Sequence, residues 1–241
     1  MTHTDRATPT AEREDADRST ADHESADRAD AVTRAREAFE RGDPVCIHDA
    51  ADREGETDLL VPASAVDAGT VARLRGDAGG LVFVAVSDVV AESFDLPYLH
   101  ELFDQPAADV SDLRYDARPS FSLPVNHRDT YTGVTDRDRA RTVSALGAAA
   151  ADPSDTDFTG TFRSPGHVHL LRAAPGLLDE RRGHTELGLA LAAAADREPA
   201  VAGAEMLDGE SGDALSVADA RAYAERHGLA FVEGANLVES L

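Results

Sequence analysis

Two hydrophobic spacings alternate along the chain from residue 29 onward. Val32, Ala35 and Phe39 recur at helical spacing and Gly42 supplies a stop, which predicts a helix ending there. Val45-Cys46-Ile47 then reads as a buried strand within 44–49. A helix is expected near 66–75, followed by a strand at Leu81-Val82-Phe83-Val84-Ala85-Val86. Phe121-Ser122-Leu123-Pro124-Val125 reads as another strand, whose proline predicts a sheet edge or a bulge. A helix runs from Asp136 into the alanines at 148–151, another follows Thr185, and Ala200–Met206 is a strand. Ser216 caps a helix to His227, and Leu229–Val232 is the last strand. Helices and strands alternate without regular βαβ units. The pattern predicts an α/β (α+β) single domain, a mixed sheet covered by helices, over 29–241. Residues 1–28 are Asp, Glu, Thr, Ala and Ser without apolar periodicity, and are expected to form a disordered acidic tail.

Length and composition leave this picture intact: 241 residues with 42% apolar content can bury a sizeable core. No apolar run is long enough to span a bilayer, and the first residues lack a signal-peptide stretch, so a cytoplasmic protein with no membrane partner is expected. Charge changes the picture more. Asp and Glu number 46 against 23 basic residues, for a net charge of −23, and every basic residue is Arg. An acidic, lysine-free surface looks like that of proteins from salt-loving organisms, where salt screens self-repulsion. It argues against a nucleic-acid partner. The missing lysine excludes Schiff-base catalysis by an amine of this chain. Cys46 is the single cysteine, which excludes an internal disulfide and a multi-cysteine metal site.

Candidate chemistry sits in four segments. In Asp52-Arg53-Glu54-Gly55-Glu56-Thr57-Asp58 an extended backbone projects Glu54, Glu56 and Asp58 to one side. Carboxylates that close repel unless a cation sits among them. A hard divalent cation site beside Arg53 and a solvated charge run both remain open on these residues alone. Tyr131-Thr132-Gly133-Val134-Thr135 opens a helix with hydroxyls and a glycine, as an anion site or as an ordinary capping box between Thr135 and Asp138. Arg163-Ser164-Pro165-Gly166-His167-Val168 contains a tight turn, and His167 is either a turn residue or a catalyst. Arg181-Arg182-Gly183-His184-Thr185-Glu186 precedes a helix. It offers positive side chains, free amides and the helix dipole to a phosphate, or simply caps the helix.

Together with Asp77-Ala78-Gly79-Gly80-Leu81, these segments resemble, in order and spacing, the 3,4-dihydroxy-2-butanone 4-phosphate synthase family of riboflavin biosynthesis, in its archaeal form. The resemblance implies conversion of D-ribulose 5-phosphate to L-3,4-dihydroxy-2-butanone 4-phosphate and formate through a metal-stabilised enediolate. It also implies two Mg²⁺ or Mn²⁺ per active site, a three-layer helix/mixed-sheet/helix fold, and a homodimer. Carried onto matching residues, it implies metal ligation by Glu54, His184 and Glu56, and catalysis by His167, Glu205 and Asp49. Substrate contacts fall on Arg53, Glu54, Asp58, Arg181, Arg182, Gly183, His184, Thr185 and Glu205, with Arg181 and Thr185 on the phosphate. Proton transfers of that reaction call for a carboxylate and a His, and a mixed oxygen and imidazole ligand set suits Mg²⁺ or Mn²⁺. Relatives often carry a cysteine where this chain has Phe83, so no catalytic thiol is assigned. Two competing readings are a threonylcarbamoyl-adenylate synthase-like nucleotide-binding enzyme and a non-catalytic sugar-phosphate sensor. The first lacks a basic face, and the second would predict loss of Glu54, His167, His184 or Glu205, all of which are present.

Overall fold

The computed structural model describes residues 11–49, 55–110, 113 and 116–241. The helices are α1 (Ala11–Arg41), α2 (Ala68–Arg73), α3 (Asp88–Ser93), α4 (Asp136–Ala151), α5 (Phe158–Thr161), α6 (His184–Ala194), α7 (Val217–His227) and α8 (Gly234–Ser240). The strands are β1 (Val45–His48), β2 (Thr57–Pro62), β3 (Phe83–Val86), β4 (Phe121–His127), β5 (Phe162–Arg172), β6 (Ala200–Glu205) and β7 (Ala230–Glu233). They form one seven-stranded sheet in the order β4-β5-β3-β6-β2-β1-β7. β3–β5 and β1–β7 are parallel, and the remaining neighbours are antiparallel, so the sheet is mixed as expected.

Strand alternation sorts the core into two faces. Leu60, Phe83, Ala85 and Val201 pack with Val32, Phe39, Leu187 and Leu191 of α1 and α6. Val61, Val84, Val86 and Ala202 pack on the opposite face with Val143 and Leu146 of α4, and Cys46, Leu59 and Ala204 pack with Ala220 and Tyr223 of α7. The result is three layers, helices on both faces of the sheet. Burial pushes the Cys46 thiol up to about 12, in keeping with a small core residue.

Several sequence expectations hold in detail. α4 begins at Asp136 behind an N-cap in which Thr135 accepts from the Asp138 N–H. β4 is an edge strand, with register shifts around Pro124. Gly42, with φ +79°, ends α1. Three differences stand out. α1 already runs from Ala11, whereas composition predicts a tail without structure through residue 28. Ala is the commonest residue of α1 and the strongest helix former, and Val32 contributes to the buried core farther along the helix. β2 is a fully buried strand in the middle of the sheet, immediately after the acidic segment. The Ser-Pro-Gly segment is no turn between elements: it lies inside the 11-residue strand β5, with a cis Ser164–Pro165 peptide.

Candidate active site

One end of the sheet gathers most of the acidic and imidazole candidates. Asp49 follows β1 and Glu56 precedes β2. Their backbones are joined by the Asp49 N–H donating to the Glu56 carbonyl at 3.1 Å, and the Asp49 carboxylate accepts from the Glu56 N–H at 3.1 Å. Asp58 on β2 stands opposite Glu205 on β6 in the antiparallel register. By alternation Asp58 shares the α6 face with Leu60, and Glu205 shares it with Gly203 and Val201. His184, the first residue of α6, closes over this group. Its Nε2 is 3.3 Å from the Glu56 carbonyl oxygen and its Nδ1 is 3.7 Å from Asp58 Oδ2. Asp49, Asp58 and His184 are all buried.

Glu205 is held by the loop that precedes β3. Its Oε2 accepts from the Leu81 N–H at 2.7 Å, and its carbonyl accepts from the Gly80 N–H at 2.9 Å. A Cβ on residue 80 would lie 2.4 Å from Glu205 Oε2, so only glycine permits this wrap. β5 reaches the same end. His169 pairs with Phe83, and two residues back along the parallel strands His167 comes level with Leu81. His167 is exposed on one side and held on the other by Asn126 of β4.

The basic segment before α6 is arranged differently from a set of free arginines. Arg181 is largely buried: its Nε donates to Asp116 at 2.5 Å, and its Nη1 donates to Glu186 at 2.5 Å. Glu186 is 0% exposed, and its other oxygen accepts from the Ala174 N–H at 3.0 Å. Burial alone would lower the Arg181 guanidinium, but Glu186 and Asp116 outweigh it and hold the group above its usual range. Arg182 is exposed, while Gly183 and Thr185 are buried. Gly183 is the N-cap of α6 and contributes no side chain, which leaves amides of the first turn without a side-chain acceptor.

The structure therefore places Asp49, Glu56, Asp58, Glu205 and His184 at one end of the sheet, with His167 on β5 and Arg181, Arg182, Gly183 and Thr185 at or before the α6 N-terminus. Arg53 and Glu54 lie outside the described residues. Among the described residues no group of three His, Cys, Asp or Glu side chains converges as a metal centre. The donor chemistry fits a hard divalent cation all the same, with carboxylate oxygens, a carbonyl and one imidazole. Sequence reasoning missed Asn126, Asp116 and Glu186. A signal existed for Asn126 and Glu186: an amide inside an apolar strand and a carboxylate inside a Leu-rich helix each need a buried partner.

Residues 33–240 match the 3,4-dihydroxy-2-butanone 4-phosphate synthase family. The chain is 48% identical over 214 residues to the synthase of that name from Archaeoglobus fulgidus, covering 84% of this chain and 90% of that protein. It is 45% identical over 222 residues to the one from Methanosarcina mazei, covering 87% and 90%. Among solved structures, the Candida albicans synthase superposes with a TM-score of 0.71 at 30% identity, covering 87% of this chain and 96% of that one. A synthase in complex with two magnesium ions gives 0.67 at 28% identity, covering 84% and 92%. A two-domain synthase from A. baumannii gives 0.72 at 30% identity, and the chain spans 56% of that longer protein.

Proposed function

Because the chain belongs to the 3,4-dihydroxy-2-butanone 4-phosphate synthase family, we infer from the geometry which of its residues perform that reaction. The chain is an enzyme of riboflavin biosynthesis that converts D-ribulose 5-phosphate to L-3,4-dihydroxy-2-butanone 4-phosphate and formate. The matches favour neither the nucleotide-binding nor the sensor alternative. The observation that carries the residue assignment is the meeting of His184, the Glu56 carbonyl, Asp58 and Glu205 at one end of the sheet.

Glu54, Glu56 and His184 would hold two divalent cations, Mg²⁺ or Mn²⁺. Bound there, such cations supply Lewis-acid stabilisation of the charge that develops on the substrate oxygens. The remaining work falls to the chain itself. Arg181 and Thr185, with the first-turn amides of α6, receive the phosphate, and Arg182 and Gly183 shape its entrance. Arg53 and Asp58 orient the sugar chain. Glu205 and Asp49 serve the enolisation, and His167 joins them in the proton movements of water loss and formate release. The phosphate supplies binding energy remote from the reacting carbons.

The enzyme works as a cytoplasmic homodimer in a salt-rich medium. Exposed Leu102, Phe103 and Phe121 near edge strand β4 support self-association, and the lysine-free acidic composition supports the salt. No helix among the described residues is long and apolar enough to cross a membrane.

Incubation with ribulose 5-phosphate and Mg²⁺ should release formate. Excess chelator should abolish release, and Mg²⁺ or Mn²⁺ should restore it. Absence of formate under all metal conditions would reject the activity, and full turnover in chelator would reject the metals alone.

A further inference from the structure

The side chain that holds His167 decides what His167 can do. Asn126 is buried on β4, and its amide meets three groups. Asn126 Oδ1 accepts from the His167 backbone N–H at 2.8 Å. Asn126 Nδ2 faces His167 Nδ1 at 3.2 Å and the Thr132 carbonyl at 3.5 Å. These contacts fix the amide orientation. Turning it over would set the carbonyl oxygen against the Thr132 carbonyl, and the NH₂ against the His167 N–H. The amide therefore presents N–H donors, and only donors, to His167 Nδ1. That ring nitrogen must accept, which leaves the proton of the neutral imidazole on Nε2.

Close packing keeps the amide where it is. A Cβ on residue 133 would lie 2.1 Å from Asn126 Nδ2, so Gly133, with φ +82°, lies directly on the amide. A Cβ on residue 166 would lie 1.9 Å from the Val125 carbonyl carbon, so Gly166 brings β5 hard against β4 beside it. Asp138 accepts from the Gly133 N–H at 3.0 Å and ties the 132–133 loop to α4. The amide has almost no room for another rotamer.

Resting on the assignment of His167 to the catalytic site, we propose that Asn126 is a positioning residue that locks His167 in its Nε2–H tautomer. His167 then meets the substrate as a hydrogen-bond donor, aimed at the oxygen that gains charge. It cannot be the base that opens the reaction, because its free lone pair is turned towards Asn126. The proton leaving carbon passes to a carboxylate, Glu205, while the C–H electron pair forms the new C=C bond and the carbonyl π pair moves onto oxygen. In this opening step a neutral imidazole stabilises the oxyanion while keeping its proton, and His167 moves protons only in the steps that follow.

The test is a long-range ¹H–¹⁵N correlation spectrum of the full chain with labelled histidine, recorded above the imidazole titration range. The His167 signals are identified by their loss in His167→Asn. The expected result is a pyridine-type Nδ1 and a pyrrole-type Nε2. A pyrrole-type Nδ1, or the averaged shifts of a ring exchanging between tautomers, would overturn the proposal. Asn126→Asp should reverse the pattern, since a carboxylate requires a donor at Nδ1. It should also lower kcat at least tenfold with KM nearly unchanged, and cause no further loss in a His167→Asn background. Wild-type kcat in Asn126→Asp with a reversed tautomer would also overturn it. If Asn126→Asp folds poorly, the wild-type spectrum still decides the tautomer. Full activity of His167→Asn would instead remove His167 from the reaction.

Discussion

At the scale of residues, Arg181 has a structural burden beside the phosphate contact proposed for it. A loop arginine before a helix reads as a phosphate ligand that the fold could spare. The structure fixes it between Asp116 and the fully buried Glu186, so removing it strands a carboxylate in the core. Arg181→Ala should weaken substrate binding by roughly 1.5–3 kcal/mol, the value of a charge-assisted contact. It should also destabilise the fold by about 3–5 kcal/mol, the cost of breaking a buried ion pair. Steady-state KM and urea unfolding measure the two separately. Arg181→Met combined with Glu186→Leu should recover much of the stability and none of the affinity. An unchanged KM in Arg181→Ala would place the phosphate elsewhere. The sequence named acid and imidazole candidates that the fold places at one end of the sheet, Asp49, Asp58, His184 and Glu205 among them. Their partners were less so: Asn126 and Glu186 signal only that each needs a buried partner, and the pairing of Asn126 with His167 spans 41 residues and two strands.

At the scale of elements, legibility followed periodicity. β1, β3, β6, β7 and the amphipathic helices showed their spacing openly. β2 did not: Thr57-Asp58-Leu59-Leu60-Val61-Pro62 is buried on both faces, so it has no alternation to reveal it. β5 was masked by Ser164-Pro165-Gly166, where two strands approach too closely for any side chain at 166. The same closeness occurs where α4 crosses the turn at 63–65. A Cβ on Gly147 would lie 2.4 Å from the Ser64 nitrogen, which is backbone and cannot swing aside. Helix propensity alone would make Gly147→Ala stabilising by about 1 kcal/mol. Overpacking against backbone should reverse the sign and cost about 1–3 kcal/mol. Thermal unfolding of the variant checks this, and a raised melting temperature would mean that α4 can shift away from the turn.

At the scale of the whole molecule, a net charge of −23 on 241 residues opposes compaction. The Debye length falls from about 10 Å at 0.1 M salt to about 3 Å at 1 M, so added KCl should screen the self-repulsion and raise the melting temperature steadily across that range. A melting temperature independent of salt would show that local pairing of acids and arginines already neutralises the surface.

The place of β6 between β3 and β2 has a consequence for how the enzyme comes into being. Without β6 the sheet falls into two separate hydrogen-bonded blocks, one of β4, β5 and β3 and one of β2, β1 and β7. His167 belongs to the first block, Asp49 and Asp58 to the second, and Glu205 to the inserted strand itself. During synthesis both flanking strands emerge more than a hundred residues before the strand that joins them. A growing chain that lacks β6 thus lacks both Glu205 and the strand that joins the His167 block to the Asp58 block.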